Sequence, residues 1–131
     1  MMTRTQSRIK IKRVHTIGVP VTDQDRALNF YVDTLGFAKR VDVTLGTGLR
    51  WIEVAPHESN GVSLALLRAT PEIPAGAKTG VRLMTQDADA THAAMKSDGV
   101  SVDDVLRWPD APPMFAFRDQ DSNGFVIVQD E

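Results

Sequence analysis

Apolar residues recur along the chain with two different periods, and the first change of period marks a strand followed by a helix. The run 14–21 is apolar and β-branched like a short strand, and residues 22–37 then carry apolar side chains at helical spacing. These helical positions are Ala27, Leu28, Phe30, Tyr31 and Leu35. Thr22 or Asp23 can cap the first turn, and Gly36 can end the helix because glycine adopts a left-handed backbone at little cost. The pattern predicts one complete strand–helix unit.

Three more strands are predicted before the middle of the chain. Residues 37–45 and 49–55 alternate in polarity around a Gly-Thr-Gly turn, and a largely apolar strand at 62–68 follows a polar loop. The first half therefore has the order β-α-β-β-β. Residues 69–78 contain two prolines and a glycine, which is typical of a linker.

The second half repeats this order. A strand is predicted at 80–85, a helix at 88–97, and strands at 100–106, 114–118 and 125–129. Asp87 or Asp89 lies near the start of this helix and Gly99 follows its end, as Asp23 and Gly36 do in the first half. We interpret this as a duplication. The predicted fold class is α+β, with two βαβββ modules in a single domain over 14–131: module 1 at about 14–68 and module 2 at about 79–129.

A basic arm precedes module 1. Residues 1–13 contain five lysines and arginines and no acid, which favours a solvated tail; an arm for an anionic partner is the alternative. Ile9 and Ile11 alternate with Lys10 and Lys12. The end of the arm can therefore extend the first strand or cross to a partner subunit.

Composition and charge narrow the classes of function. The 131 residues carry a formal net charge of −2, so no electrostatic argument favours nucleic acid as a partner. The absence of cysteine excludes disulfides, thiolate chemistry and cysteine-based zinc sites. No apolar run is long enough to cross a membrane and no signal-peptide pattern opens the chain, so the expected location is cytoplasmic.

Several short motifs, taken in order, resemble the vicinal oxygen chelate superfamily, the glyoxalase, bleomycin-resistance and extradiol-dioxygenase group. The motifs are Val21-Thr22-Asp23 with Ala27–Tyr31 and Leu35-Gly36-Phe37, then Arg50-Trp51 with Val54-Ala55-Pro56, and finally Phe117–Phe125. The last motif is similar to the family's F-x-D-P-D-G-N-x-F turn, with Gln120 in place of proline and Ser122 in place of glycine. The resemblance covers about residues 14–129 and implies that the sheets of both modules curl around a cleft.

In metal-dependent relatives this cleft holds a divalent ion bound by His, Gln or Glu, which polarises adjacent substrate oxygens. The first family ligand usually lies seven residues before the aspartate that precedes the helix, and this count leads from Asp23 to Thr16. The other family positions correspond to Ala65, Gly80 and Val126. These side chains lack the imidazole and carboxylate donors that such cations need. The resemblance therefore implies no metal cofactor at the usual site.

His15 lies one residue from the expected ligand position. Neighbouring residues on a strand point to opposite faces, so the register predicts that His15, with Ile17, Val19 and Val21, faces the helices. Thr16, Gly18 and Pro20 are then predicted to face the cleft. A register error would reverse this assignment. A relocated metal site that uses His15, Glu53 or groups from another subunit remains the alternative.

A cleft without metal can still bind a small organic ligand through aromatic and polar side chains. The candidate ligand-binding residues are Arg50, Trp51, Glu53, Arg82, Trp108 and Phe115. Packing of Trp51 and Phe115 in the core or a dimer interface, pairing of Arg82 with an acid, and simple exposure of Glu53 on the sheet are the alternatives. The sequence favours a metal-free module that binds or sequesters a small molecule, as a homodimer. A lyase or dioxygenase with a relocated divalent metal, or a structural or regulatory protein, is the alternative function.

Overall fold

The computed structural model describes residues 8–130, which form two four-stranded sheets, each with one helical segment. The first sheet contains β1 (Thr16–Val21), β2 (Ala38–Leu45), β3 (Leu49–Ala55) and β4 (Ser63–Arg68). The second contains β5 (Lys78–Thr85), β6 (Ser101–Val102), β7 (Met114–Arg118) and β8 (Gly124–Gln129). The helices are α1 (Gln24–Leu28), continued by a π-helical segment (Asn29–Thr34), and α2 (Ala88–Ser97).

Both sheets have the same topology. Their strand orders are β1-β4-β3-β2 and β5-β8-β7-β6, and in each the first strand of the module runs parallel to the last. The other neighbouring pairs in each sheet are antiparallel. The α+β class and the two βαβββ modules are confirmed. Part of the predicted basic arm, residues 1–7, lies outside the described residues, and residues 8–15 precede β1 without belonging to a strand.

The two helices begin and end in the same way. Asp23 and Asp87 are the N-caps, and their carboxylates accept hydrogen bonds from the backbone N–H groups three residues later, at 3.1 and 3.0 Å. Gly36 and Gly99 follow the helices with φ of +77° and +82°, a conformation that costs side-chain-bearing residues about 1–2 kcal/mol. The corresponding capping residues support the predicted duplication.

Two elements differ from the sequence prediction. The last turns of the first helix are π-helical, with Leu35 N–H donating to Phe30 O over 2.9 Å, and a one-residue widening of this kind does not alter the apolar spacing enough to be predicted. The strand predicted at 100–106 is reduced to Ser101–Val102. Pairing with β7 is interrupted after Asp103 and returns only as a single bridge at Leu106, since consecutive aspartates are poor strand residues.

The modules share one hydrophobic core. It includes Val19 and Val21 of β1, Tyr31 of the first helix, and Phe117 and Phe125 of the second sheet, all at most 2% exposed. Ile17 packs against this core from its edge. The prediction that Ile17, Val19 and Val21 face the helices is therefore confirmed.

The turn after β7 connects the modules by hydrogen bonds. The side chain of Asn123, which is fully buried, accepts from the backbone N–H groups of Gly76 and Ala77 at 3.0 Å and donates to Pro20 O at 2.7 Å. Asp121 accepts from the backbone N–H and hydroxyl of Thr22 at 3.0 and 2.7 Å. Asp121 and Asn123 of this turn therefore bind the backbone of module 1 and the side chain of Thr22.

Candidate functional site

The face of the first sheet that points away from the core carries small side chains beside one acid. Gly18 pairs with Ala65 across β1 and β4, and Ala65 pairs with Glu53 across β4 and β3, so these residues form one row. Gly18 is exposed and Ala65 contributes only a methyl group. Ala65 is itself fully buried, so the open space in this row lies over Gly18.

Glu53 is a buried carboxylate at this open face. The residue is 7% exposed, and its Oε2 accepts a hydrogen bond from Trp51 Nε1 at 2.8 Å. Its Oε1 receives no hydrogen bond from residues 8–130, yet it is not among the fully enclosed polar atoms of that range. Trp51 itself is half-buried. The hydrogen bond from the indole thus fixes Oε2, and Oε1 is left accessible.

His15 lies next to this pair, which corrects the predicted register at the start of β1. Its Nε2 is 4.0 Å from Glu53 Oε2, beyond hydrogen-bond distance, and its side chain is 66% exposed. The prediction that His15 faces the helices as a partly buried residue is wrong, because the regular alternation begins only at Thr16, where β1 starts. The count that leads from Asp23 to Thr16 does not govern the residue before the strand.

The corresponding face of the second sheet is largely apolar. Arg82 pairs with Val126, and Met84 with Val128, so both side chains share the face that carries Val126. Arg82 is exposed and forms no hydrogen bond or ion pair with any of residues 8–130, so the alternative in which it pairs with an acid is not observed there. Met84 is 73% exposed. This face therefore offers one guanidinium beside apolar surface.

The four positions predicted to correspond to family metal ligands carry no imidazole or carboxylate. They are Thr16 and Ala65 in the first module, and Gly80 and Val126 in the second. Gly80 has a φ of +73°, which suits glycine and disfavours a side chain there. Across residues 8–130, no three or more His, Asp or Glu side chains are grouped so that they could hold a metal ion. The donors at these four positions do not fit a divalent cation.

Three of the predicted site residues lie elsewhere. The guanidinium of Arg50 donates to Asp42 of β2 at 2.9 and 3.0 Å and to Asp25 of the first helix at 2.8 Å. The hydrogen bonds from Arg50 lower the pKa of the Asp42 carboxyl, although desolvation opposes them. Phe115 is fully buried, edge-on to His92 with the ring centroids 5.0 Å apart, so it offers no surface to a ligand. Trp108 is 59% exposed in the loop before β7.

Of the six candidates, the structure brings only Trp51 and Glu53 into direct contact. Arg82 lies on the matching face of the other module. The predicted register does not bring His15 close to Glu53, because it extends strand alternation one residue too far.

A separate apolar cavity of about 450 Å³ lies on the core side of the second sheet. Its walls include Phe37 of module 1 with Leu83, Met95 and Ile127 of module 2, and Asp98 is its only charged side chain. The cavity does not include Trp51 or Glu53. It is therefore distinct from the site at Trp51 and Glu53.

Paired βαβββ modules with an open sheet face on each define the class of glyoxalase-like proteins. The family model of the Glyoxalase/Bleomycin resistance protein/Dioxygenase superfamily matches residues 13–127, and the chain belongs to this superfamily. Within residues 8–130 neither helix has the length and apolar character needed to span a bilayer.

Several known proteins resemble the chain over nearly its whole length. The solved structure of TnmS3, an antibiotic binding protein from Streptomyces sp. CB03234, is 35% identical with a TM-score of 0.84 and covers 95% of this chain and 100% of its own. A superfamily member from Sphaerobacter thermophilus DSM 20745 is 31% identical with a TM-score of 0.85, over 92% and 98% of the two chains. Protein YetH of Bacillus subtilis (strain 168) is 26% identical over 91% of this chain and 99% of its own.

Proposed function

We propose that this protein binds and sequesters a small organic molecule without using a metal ion. The observation that carries the proposal is the contrast on one sheet face of module 1. The family ligand positions Thr16 and Ala65 have no cation donor, whereas Trp51 and Glu53 on the same sheet present an aromatic surface and a carboxylate. Convergent aromatic and polar groups beside open space are the usual composition of a ligand site.

The similarity to TnmS3 supports the same function, since that protein is an antibiotic binding protein and is 35% identical in sequence to this chain. A common fold alone would not suffice, because function depends on the side chains placed on the fold. The proposal therefore rests on the Trp51–Glu53 pair and takes the relative as support.

We further propose that the working form is a homodimer. We call the sheet face with Trp51 and Glu53 the Trp51 face, and the sheet face with Arg82 and Met84 the Arg82 face. Each lies on the side of its sheet opposite to the shared core. A second copy can place its Arg82 face against the Trp51 face. Met84, 73% exposed, would then lose its contact with water.

The function is tested by a thermal-shift screen of aromatic antibiotics on protein freed of metal by a chelator, because a ligand that binds only the folded state raises its melting temperature. The expected result is at least one compound that stabilises the wild type and not Trp51→Ala. Arg107→Ala, which removes an exposed ion pair with Asp89 in module 2, is the matched control and should respond like the wild type. Hits that stabilise Trp51→Ala equally would contradict this site.

One observation favours the second candidate, a lyase or dioxygenase with a relocated divalent metal. His15 Nε2 and Glu53 Oε2 are 4.0 Å apart, so both could contact one ion. Calorimetric titration with Mn²⁺, Zn²⁺ and Fe²⁺ separates the two candidates. Tight stoichiometric binding that is lost in His15→Ala or Glu53→Ala would establish the metal site and contradict the metal-free proposal.

A further inference from the structure

The Glu53 carboxylate is buried without a cation bonded to it. Its side chain is 10% exposed, and within residues 8–130 the sole basic group within 4.0 Å is His15, at the limit of that distance. Removing a carboxylate from water costs several kcal/mol unless hydrogen bonds or an opposite charge compensate it. The single bond from Trp51 compensates only Oε2. Oε1 remains available to a donor from outside the chain.

The space above Gly18 is not required by the packing of the protein itself. A Cβ added at Gly18 would meet only Leu67 Cδ1, at 3.8 Å, which is an ordinary contact. The backbone of Gly18 is not left-handed either. Neither sterics nor conformation demands glycine at this position, so the space above Gly18, in the same cross-strand row as Glu53, is available for part of a ligand.

We infer that this site recognises a protonated amine attached to an aromatic ring, with the ammonium on Glu53 Oε1 and the ring against Trp51. The inference rests on the proposed function and specifies its ligand class. A cation supplies the opposite charge that no group of residues 8–130 brings within hydrogen-bond distance of the buried carboxylate. Charge-assisted hydrogen bonds are also about twice as strong as neutral ones. The indole face adds attraction for both the ring and a nearby cation.

Two probes of equal shape separate the cation from the ring: 2-naphthylmethylamine and 2-naphthalenemethanol. In Trp108→Phe protein the indole N–H of Trp51 gives one resonance, because the chain has two tryptophans. This N–H donates to Glu53, so its chemical shift reports binding at the site. We expect the amine to bind about tenfold or more tightly than the alcohol at neutral pH.

Glu53→Gln, which retains an oxygen for Trp51, should reduce the affinity for the amine to that for the alcohol and leave the alcohol unchanged. Glu58→Gln removes an exposed carboxylate from a loop and should preserve the preference. Equal affinities of the two probes for the Trp108→Phe protein would overturn the amine specificity and leave the proposed aromatic-ligand function standing, even if Glu53→Gln failed to fold. No response of Trp51 to either probe would overturn both.

Discussion

The hydroxyl of Tyr31 donates a 2.6 Å hydrogen bond to Asp119, and this contact joins the helix of one module to a turn of the other. Both residues are buried, and the same carboxylate accepts from the backbone N–H groups of Asp121 and Asn123 at 2.9 Å. Burial, together with the negative charge and hydrogen bond of Asp119, raises the pKa of Tyr31 above its usual range. The phenol thus remains a donor, and the family's turn motif holds the modules together.

Tyr31→Phe should destabilise the protein by about 2 kcal/mol, since a buried hydrogen bond to a charged acceptor is lost without a change in packing volume. Urea unfolding measures the effect. In a double-mutant cycle with Asp119→Asn, the two losses should not add, because both remove the same contact. A loss that is fully additive would show that the contact does not couple the modules.

Ser122 occupies a left-handed conformation with a φ of +64°, at the position where the family's turn carries glycine. Ser122→Gly should therefore stabilise the protein by about 0.5 kcal/mol, because relief of backbone strain exceeds the extra entropy of the unfolded chain.

Gly36→Ala is the opposite test, with φ of +77° and no atom within 4 Å of an added Cβ. It should cost about 1 kcal/mol through backbone strain alone. Melting temperatures that move in the same direction for Ser122→Gly and Gly36→Ala would contradict the strain argument.

Asp121 makes stability depend on pH. Desolvation raises the pKa of its carboxyl, but the hydrogen bonds from Thr22 and Gln120 outweigh this effect and hold the pKa below the usual value. A depressed folded pKa means that the contribution to the free energy of unfolding is present above the unfolded pKa of about 3.9 and is lost as pH falls through the folded value.

Asp121→Asn should therefore be less stable at pH 7 and lose less stability between about pH 5 and pH 2 than the wild type. Chemical unfolding at a series of pH values measures this slope. Asp104→Asn is the control, since Asp104 is exposed and forms no hydrogen bond or ion pair with residues 8–130, and it should leave the slope unchanged. If the free energy of unfolding of wild type and Asp121→Asn changed equally with pH, the stabilisation of the Asp121 carboxylate by Thr22 would be refuted.

The elements of the fold could be predicted because their signals are local. Asp23 and Asp87 cap helices in both halves, and Gly36 and Gly99 end them, so the duplication is visible in residues whose role depends on neighbours three or four positions away. Strand positions from Thr16 to Val21 followed from simple alternation. The π-helical turn could not be predicted, since apolar spacing tolerates one extra residue per turn.

The site could be predicted only in part, because it depends on which face each strand buries. Trp51 and Glu53 share a face by alternation, and their direct hydrogen bond requires the actual rotamers. Arg50, their neighbour on the strand, points the other way to Asp42, and Phe115 points into the core. His15 approaches Glu53 because regular alternation ends where the strand begins.

Gly18→Val tests the central claim most directly, because it fills the space above Gly18, in the same row as Glu53, with a residue that favours strands and removes no polar group. The measurement is calorimetric titration, in excess chelator, of the wild type and this variant with a compound that raises the melting temperature in the screen. We predict that the wild type binds the compound without metal and that Gly18→Val loses at least about tenfold in affinity, equivalent to 1.4 kcal/mol. Unchanged affinity in Gly18→Val, or binding by the wild type only after a divalent metal is restored, would contradict the account.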